Sequence, residues 1–179
     1  MNKQGINATR MQGQGGFTLI ELIVVIVILG ILAATALPRF IDMGADARAA
    51  SMNAARGSLQ STVAMLHGRA LAAGAPPATV TVDTFQVAME VIGGVNTLYP
   101  SAAQNLLTAA GINAGDYTPI LPGTAATANS PATAANQIAF IPASVAGTTR
   151  GLTCFVSYTA PAAGGQLPAF SVAVTPGNC

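Results

Sequence analysis

Few residues in this sequence could carry chemistry, and the first of them is a carboxylate inside an apolar stretch. Glu21 is the single charged residue of the 21-residue run FTLIELIVVIVILGILAATAL, which extends from Phe17 to Leu37. A charged side chain at the centre of a membrane helix costs roughly 2.5 to 3.5 kcal/mol, and less near the helix end. An acid at such a position indicates a function, since it is tolerated best when another molecule supplies a positive partner.

The two cysteines are the second candidate for chemistry. Cys154 and Cys179 lie close together at the C-terminal end of the sequence. This placement suits one disulfide in an oxidising compartment, and two reduced structural thiols are the alternative.

No residue pattern predicts an enzyme, a metal or other cofactor, or a nucleic-acid partner. The single histidine, His67, has no cysteine or second histidine near it in sequence, so a metal role is not expected. Residues 75–179 contain no histidine, and their only charged residues are Asp83, Glu90, Asp116 and Arg150. Neither a Ser-His-Asp set nor a paired acid and base can be assembled from them. The net charge is +1, with no basic patch large enough to hold a phosphate backbone.

The apolar run is long enough to cross a membrane, since a helix of this length spans roughly 30 Å of hydrocarbon. Residues 1–16 precede it as a short leader that contains Lys3 and Arg10 and no acid. These positive charges favour a cytoplasmic N-terminus, which places the chain after Leu37 on the outer side of the membrane. Alternatively, an ordinary signal peptidase could cut after Ala36, at the motif ATA, and release a soluble secreted binding module.

The junction between the leader and the apolar run resembles the processing and assembly motif of type IV pilins and related pseudopilins. The resemblance rests on the sequence GFTLIE at residues 16–21, followed by a Val/Ile/Leu run that contains Gly30 and is closed by Pro38. It implies that a membrane-embedded prepilin peptidase cuts between Gly16 and Phe17 and methylates the new N-terminus at Phe17.

The same resemblance implies that the cut chain is a structural subunit, polymerised by inner-membrane pilus assembly machinery into a helical homo-oligomeric filament. The subunit would lie in the lipid of the inner membrane before it joins an extracellular pilus used for attachment or motility. Glu21 would pair with the N-terminal ammonium of a neighbouring subunit. Gly30 and Pro38 both disfavour helix, which predicts a kink or local melting; the resemblance implies melting on assembly.

A finer resemblance, to the mannose-sensitive haemagglutinin branch of the type IVa pilins, covers residues 17–75 well. It rests on four short motifs, Pro38-Arg39-Phe40, Asp46-Ala47-Arg48, Gly68-Arg69-Ala70 and Tyr99-Pro100. It implies a role in cell adhesion. A pseudopilin of a type II secretion system is the alternative within the family, although major pseudopilins usually carry an acidic calcium-binding loop and this sequence has few acids.

Beyond Pro38 the sequence predicts an amphipathic continuation of the same helix. Apolar residues recur at steps of three and four along Met52, Ala55, Leu59, Val63, Leu66 and Ala70. Gly74 and the following Pro76-Pro77 are a stop signal. One helix over about residues 17–73 is therefore expected.

The remaining sequence predicts a small antiparallel sheet packed on that helix. Strands are expected at 80–82, 85–87 and 137–141, and a hairpin from 152–159 and 169–175. A short helix is expected within 101–112, and an exposed loop at 124–135. The predicted fold class is α+β, a roll in agreement with the pilin fold.

The expected organisation has four segments. These are a cleaved leader (1–16), a membrane-spanning or filament-core helix (17–38), an amphipathic helix that packs on the globular domain (39–74), and a C-terminal β-sheet domain with the disulfide region (75–179).

Overall fold

The computed structural model describes residues 16–171 and 173–179, and of residues 37–42 it describes the backbone alone. The chain divides into two compact units, Met1–Ile41 and Asp42–Cys179. The second unit contains every sheet and all the elements that follow the long helix.

The longest element is α1 (Leu19–Ala72), which confirms the long helix expected from the sequence. Its backbone is helical at both Gly30 and Pro38, so local melting there would belong to a different state of the molecule. The helix ends where the sequence predicts, because Gly74 has a φ of +72°. This left-handed conformation is one that glycine adopts without strain and that commonly terminates helices.

The first sheet is a three-stranded antiparallel meander in the order β1-β2-β3. Its strands are β1 (Thr79–Val82), β2 (Phe85–Ile92) and β3 (Val95–Pro100). The β2–β3 connection is the pair Gly93-Gly94, both with positive φ. Two such residues form the hairpin turn whose twist matches that of the flanking strands.

The second sheet is four-stranded and antiparallel, in the order β4-β5-β6-β7. Its strands are β4 (Tyr117–Ile120), β5 (Gln137–Pro142), β6 (Val156–Thr159) and β7 (Ala169–Phe170). The short helix α2 (Gln104–Ala109) lies between the sheets in sequence. Three 3-10 helices complete the second unit, at Ala143–Val145, Thr149–Leu152 and Pro176–Asn178.

The main core of the second unit forms along the apolar stripe of α1. All six stripe residues predicted from the sequence are buried, namely Met52, Ala55, Leu59, Val63, Leu66 and Ala70. They belong to one cluster with Val87 and Met89 of β2, Leu106 and Leu107 of α2, and Ile138, Phe140, Val156 and Tyr158 of the second sheet. A smaller cluster of Ile120, Ala139 and Ile141 lies on the other face of that sheet, since side chains alternate along a strand.

The structure confirms the α+β class and most predicted elements, and it corrects several strand expectations. The strand predicted at 152–159 begins only at Val156, because Leu152 belongs to a 3-10 helix. Two sheets form in place of one, and β3 and β4 were missed. Both are edge strands that contain a proline, Pro100 and Pro119. Proline weakens a strand prediction because it cannot donate to a ladder, yet an edge strand tolerates it.

Candidate processing and assembly site

The expected cleavage bond lies in exposed, non-helical backbone. Gly16, Phe17 and Thr18 precede the first residue of α1, and the side chain of Phe17 is 92% exposed. A Cβ built at Gly16 has no heavy atom within 4 Å. The fold itself therefore leaves room for a side chain at position 16, and a need for glycine there would come from an enzyme that binds this segment. The rest of the leader, with Lys3 and Arg10, lies outside the described residues.

Glu21 is held by Thr18 at the start of α1. The N–H and the hydroxyl of Thr18 both donate to Oε2 of Glu21, at 2.8 and 2.7 Å. The N–H of Glu21 in turn donates to Oγ1 of Thr18 at 3.3 Å. This reciprocal arrangement is a capping box, which satisfies backbone donors that the first helical turn leaves unpaired. The sequence interpretation missed Thr18, although its spacing of three residues from Glu21 is the known signature of the motif.

The first part of α1 is apolar and uncovered. The segment Leu19–Ala36 has a mean hydropathy of 2.8 over 18 residues, none of which is buried. It is long and apolar enough to cross a membrane by length and composition. A continuous apolar surface of this size is a membrane or protein interaction site.

The other candidate residues of this segment lie inside α1. Gly30 lies inside α1, and a Cβ there would meet no heavy atom within 4 Å. The side chain of Pro38 lies outside the described residues. Ala36, the alternative cleavage position, lies within helical backbone, unlike the bond between Gly16 and Phe17.

The structure joins Cys154 to Cys179 by a disulfide, as expected from the sequence. The two Cα atoms are 4.7 Å apart and 25 residues apart in sequence. Both cysteines are buried in the main core. The bridge therefore ties the end of the chain to the segment that precedes β6.

After β7 the N–H of Ser171 donates once more to β6, to the main-chain oxygen of Ser157, and the chain then binds side chains of α1. We call this segment, residues 171 and 173–179, the C-terminal strap. Arg56 donates to the main-chain oxygen of Ser171 at 2.8 Å, and Asn53 exchanges two hydrogen bonds with the main chain of Val174, at 2.7 and 2.9 Å. The strand predicted at 169–175 is thus shorter in the structure. β7 ends at Phe170, and the main chain of Ser171 and Val174 binds polar side chains of the helix.

Arginine binds main-chain oxygen elsewhere in the second unit as well. Arg48 donates twice to the main-chain oxygen of Cys179, at 3.0 and 2.9 Å, and Arg150 donates to the same atom at 3.2 Å. Arg69 donates to the main-chain oxygen of Thr81 at 2.6 Å. Arg48 and Arg69 thus join α1 to Cys179 and to β1, and Arg150 binds Cys179 from the 3-10 helix Thr149–Leu152.

His67 is used in packing. Its ring stacks on that of Tyr99, with the centroids 4.0 Å apart, and its Nδ1 lies 2.8 Å from the main-chain oxygen of Leu98. Among the described residues, no group of three or more His, Cys, Asp or Glu side chains could hold a metal ion.

Two acidic groups of the globular unit have a raised pKa. Burial raises the pKa of the Tyr158 hydroxyl, which donates to the main-chain oxygen of Pro100 at 2.6 Å. Burial also raises the pKa of the half-buried Glu90 carboxyl. Neither group lies near the N-terminal site in sequence, and each is explained by the packing of the core.

Comparison with known proteins bears directly on the N-terminal site. Residues 11–37 match the family described as the prokaryotic N-terminal methylation motif. The N-terminal segment carries this methylation motif. The matched range includes Gly16, Phe17, Glu21 and Gly30, and it ends one residue before Pro38.

A second comparison finds a pilus protein. The chain is 50% identical over 50 residues to the type IV narrow pilus major component PilA5 of Thermus thermophilus. This similarity covers 28% of the chain and 43% of the relative, so the chain matches less than half of the relative's length. No solved structure matches. The methylation motif and the pilus relative together support the resemblance to type IV pilins.

Proposed function

We propose that this chain is a structural subunit of a type IV pilus, and that it acts by polymerisation and not by catalysis. The observation that carries the proposal is the match of residues 11–37 to the N-terminal methylation motif. The uncovered apolar helix adds physical support, because Leu19–Ala36 needs lipid before assembly and neighbouring helices afterwards. The subunit would wait in the inner membrane and then become part of an extracellular filament.

Processing follows from the same proposal. Prepilin peptidase cuts between Gly16 and Phe17 and methylates the amine of Phe17, and the apolar helix is kept. In the mature subunit Glu21 pairs with the N-terminal ammonium of a neighbour, while Gly30 and Pro38 permit local melting as the helices bundle. The exposed, non-helical backbone at Gly16 and Phe17 supports access by the peptidase.

Mass spectrometry of the mature protein tests this proposal. We expect an N-terminus at Phe17 that is heavier by one methyl group, recovered from sheared surface filaments. An N-terminus at Leu37 would support the secreted-module alternative and contradict a pilus role.

A processing variant sharpens the test. Gly16→Leu should leave an uncut precursor in the membrane and abolish filaments. The globular unit should stay folded, because a Cβ at position 16 would meet no heavy atom of the described residues within 4 Å. Normal filaments from Gly16→Leu would contradict cleavage at this bond.

We further propose that the filament belongs to the mannose-sensitive haemagglutinin branch and serves adhesion. The four short motifs between Pro38 and Pro100 support this assignment. Purified filaments should agglutinate erythrocytes, and added mannose should prevent it. Agglutination that mannose leaves unchanged, or none at all, would contradict the branch and leave the pilus role intact.

A further inference from the structure

The two oxygens of the Glu21 carboxylate have different surroundings. Both hydrogen bonds from Thr18 end on Oε2, one from the main-chain N–H and one from the hydroxyl. In the part of the chain that the structure describes, no hydrogen bond ends on Oε1. One oxygen of the acid is therefore already bound within the subunit, and the other is available.

The hydroxyl of Thr18 does more than cap the helix. It accepts from the N–H of Glu21 and donates to the carboxylate of the same residue, so main chain and side chain are both tied to one atom. A free glutamate side chain populates many rotamers, and fixing one of them before binding reduces what is lost on association. Without the hydroxyl, only the contact from the main-chain N–H of Thr18 would remain.

We propose that Thr18 is a positioning residue for filament assembly, which binds Oε2 of Glu21 and leaves Oε1 for the N-terminal ammonium of a second copy. The proposal rests on the proposed function, since it needs a mature subunit with a free amine at Phe17. An ammonium that meets a pre-oriented carboxylate forms a short, charge-assisted hydrogen bond. In apolar surroundings a carboxylate with one hydrogen-bonded oxygen also costs less free energy to bury than a carboxylate with no hydrogen bond.

The variants Thr18→Val and Thr18→Ser separate the effect of the hydroxyl from the effect of side-chain size. Valine keeps the size of threonine and lacks the hydroxyl, whereas serine keeps the hydroxyl. Each is expressed as the full chain, and filament is measured relative to methylated mature subunit in the membrane. We expect Thr18→Val to lower this ratio about tenfold, the effect of losing one hydrogen bond to a charged group, and Thr18→Ser to retain it.

A cross-link provides a readout that a merely structural role would not change. Lys3 is the only lysine of the sequence, so the cleaved chain has one amine, at Phe17. A membrane-permeant carbodiimide joins a carboxylate to an amine that touches it, and can thus link Glu21 of one subunit to Phe17 of the next. Wild type and Thr18→Ser should give this linked dimer in filaments, and the few filaments of Thr18→Val should give less of it per subunit.

The outcomes are distinguishable. Wild-type filament and cross-link yields from Thr18→Val would overturn the positioning role, as would an uncut Thr18→Val precursor, which would assign Thr18 to processing. Loss of filaments from Thr18→Ser to the level of Thr18→Val would also overturn it. Wild-type filaments from Glu21→Ala would remove the carboxylate's assembly role and the proposal with it. An N-terminus at Leu37 in the wild type would instead contradict the proposed function.

Discussion

At the scale of single residues, Gly151 is the position where the fold leaves least room. It lies in the 3-10 helix Thr149–Leu152, and its backbone is buried. A Cβ at this position would overlap the main-chain oxygen of Asn129 and lie 3.3 Å from Cδ1 of Ile141. Glycine is therefore what allows the loop between β4 and β5 to pack against this helix.

Gly151→Ala should destabilise the globular unit by about 1 to 3 kcal/mol, because the main chain of Asn129 must move to admit the methyl group. Gly164→Ala is the matched control, since a Cβ there meets nothing within 4 Å and the residue has no positive φ. The free energies of unfolding come from urea titration of the full chain in detergent with its disulfide intact. Equal urea midpoints of unfolding for Gly151→Ala and Gly164→Ala would contradict the close packing of Gly151 against Asn129.

Glu90 links the stability of the globular unit to pH. Burial raises the pKa of its carboxyl in the folded state, so the folded chain binds a proton more tightly than the unfolded chain. The contribution of Glu90 to stability is then largest at low pH, and it is lost as pH rises from about 4.3, the ordinary value for glutamate, through the raised pKa.

Glu90→Gln should accordingly stabilise the protein at pH 7, by less than about 1 kcal/mol because the half-buried carboxyl is partly screened by water. The gain should disappear below about pH 4, where the wild-type carboxyl is protonated in both states. The exposed Asp116 provides the control Asp116→Asn. A gain that is equal at pH 4 and pH 7 would show that the effect is not one of titration.

At the scale of elements, the sequence predicted the features that depend on residues close to one another in the chain. The apolar stripe of α1 and its stop at Gly74 follow from spacing and backbone preference within a few residues. The C-terminal strap does not, because its contacts with α1 join residues from 115 to 131 positions apart. Alternation in 169–175 predicted a strand, and only distant polar side chains show why Val174 binds α1 instead. The pair Thr18 and Glu21 was readable from the sequence and was overlooked.

Asn53 tests how the strap is held. Asn53→Ala removes both hydrogen bonds to Val174 and leaves a buried main-chain donor and acceptor unpaired, which should cost about 1 to 3 kcal/mol. Amide hydrogen exchange at Val174 should become faster. Gln60→Ala, on the same helix and with no side-chain hydrogen bond among the described residues, should change neither quantity. An unchanged rate of amide exchange at Val174 in Asn53→Ala would show that Asn53 does not hold the C-terminal strap.

At the scale of the whole molecule, the chain is organised around two different kinds of burial. The globular unit completes its own core and closes it with a disulfide between Cys154 and Cys179. The apolar segment Leu19–Ala36 has no buried residue and depends on surroundings that the isolated chain does not supply. The sequence predicted this division because a long apolar run and an amphipathic stripe have different periodicities.

The disulfide should be present in essentially every mature subunit. Thiol labelling of denatured, unreduced filaments should therefore modify neither Cys154 nor Cys179, and prior reduction should expose both. Closing a loop of 25 residues contributes roughly 3 kcal/mol in the chain-entropy model. The double variant Cys154→Ser/Cys179→Ser should lose about this much stability, and labelling of both cysteines without reduction would refute the bridge.

Arginines of the globular unit bind main-chain oxygens, and this determines how their contacts respond to dissolved salt. Arg56 and Arg69 each reach a main-chain oxygen, of Ser171 and Thr81. A peptide oxygen carries no net charge, so neither contact is an ion pair. Dissolved ions also compete less well for a dipole held at short range than for a pair of free charges. These two contacts should therefore persist as the water around the filament turns from fresh to saline.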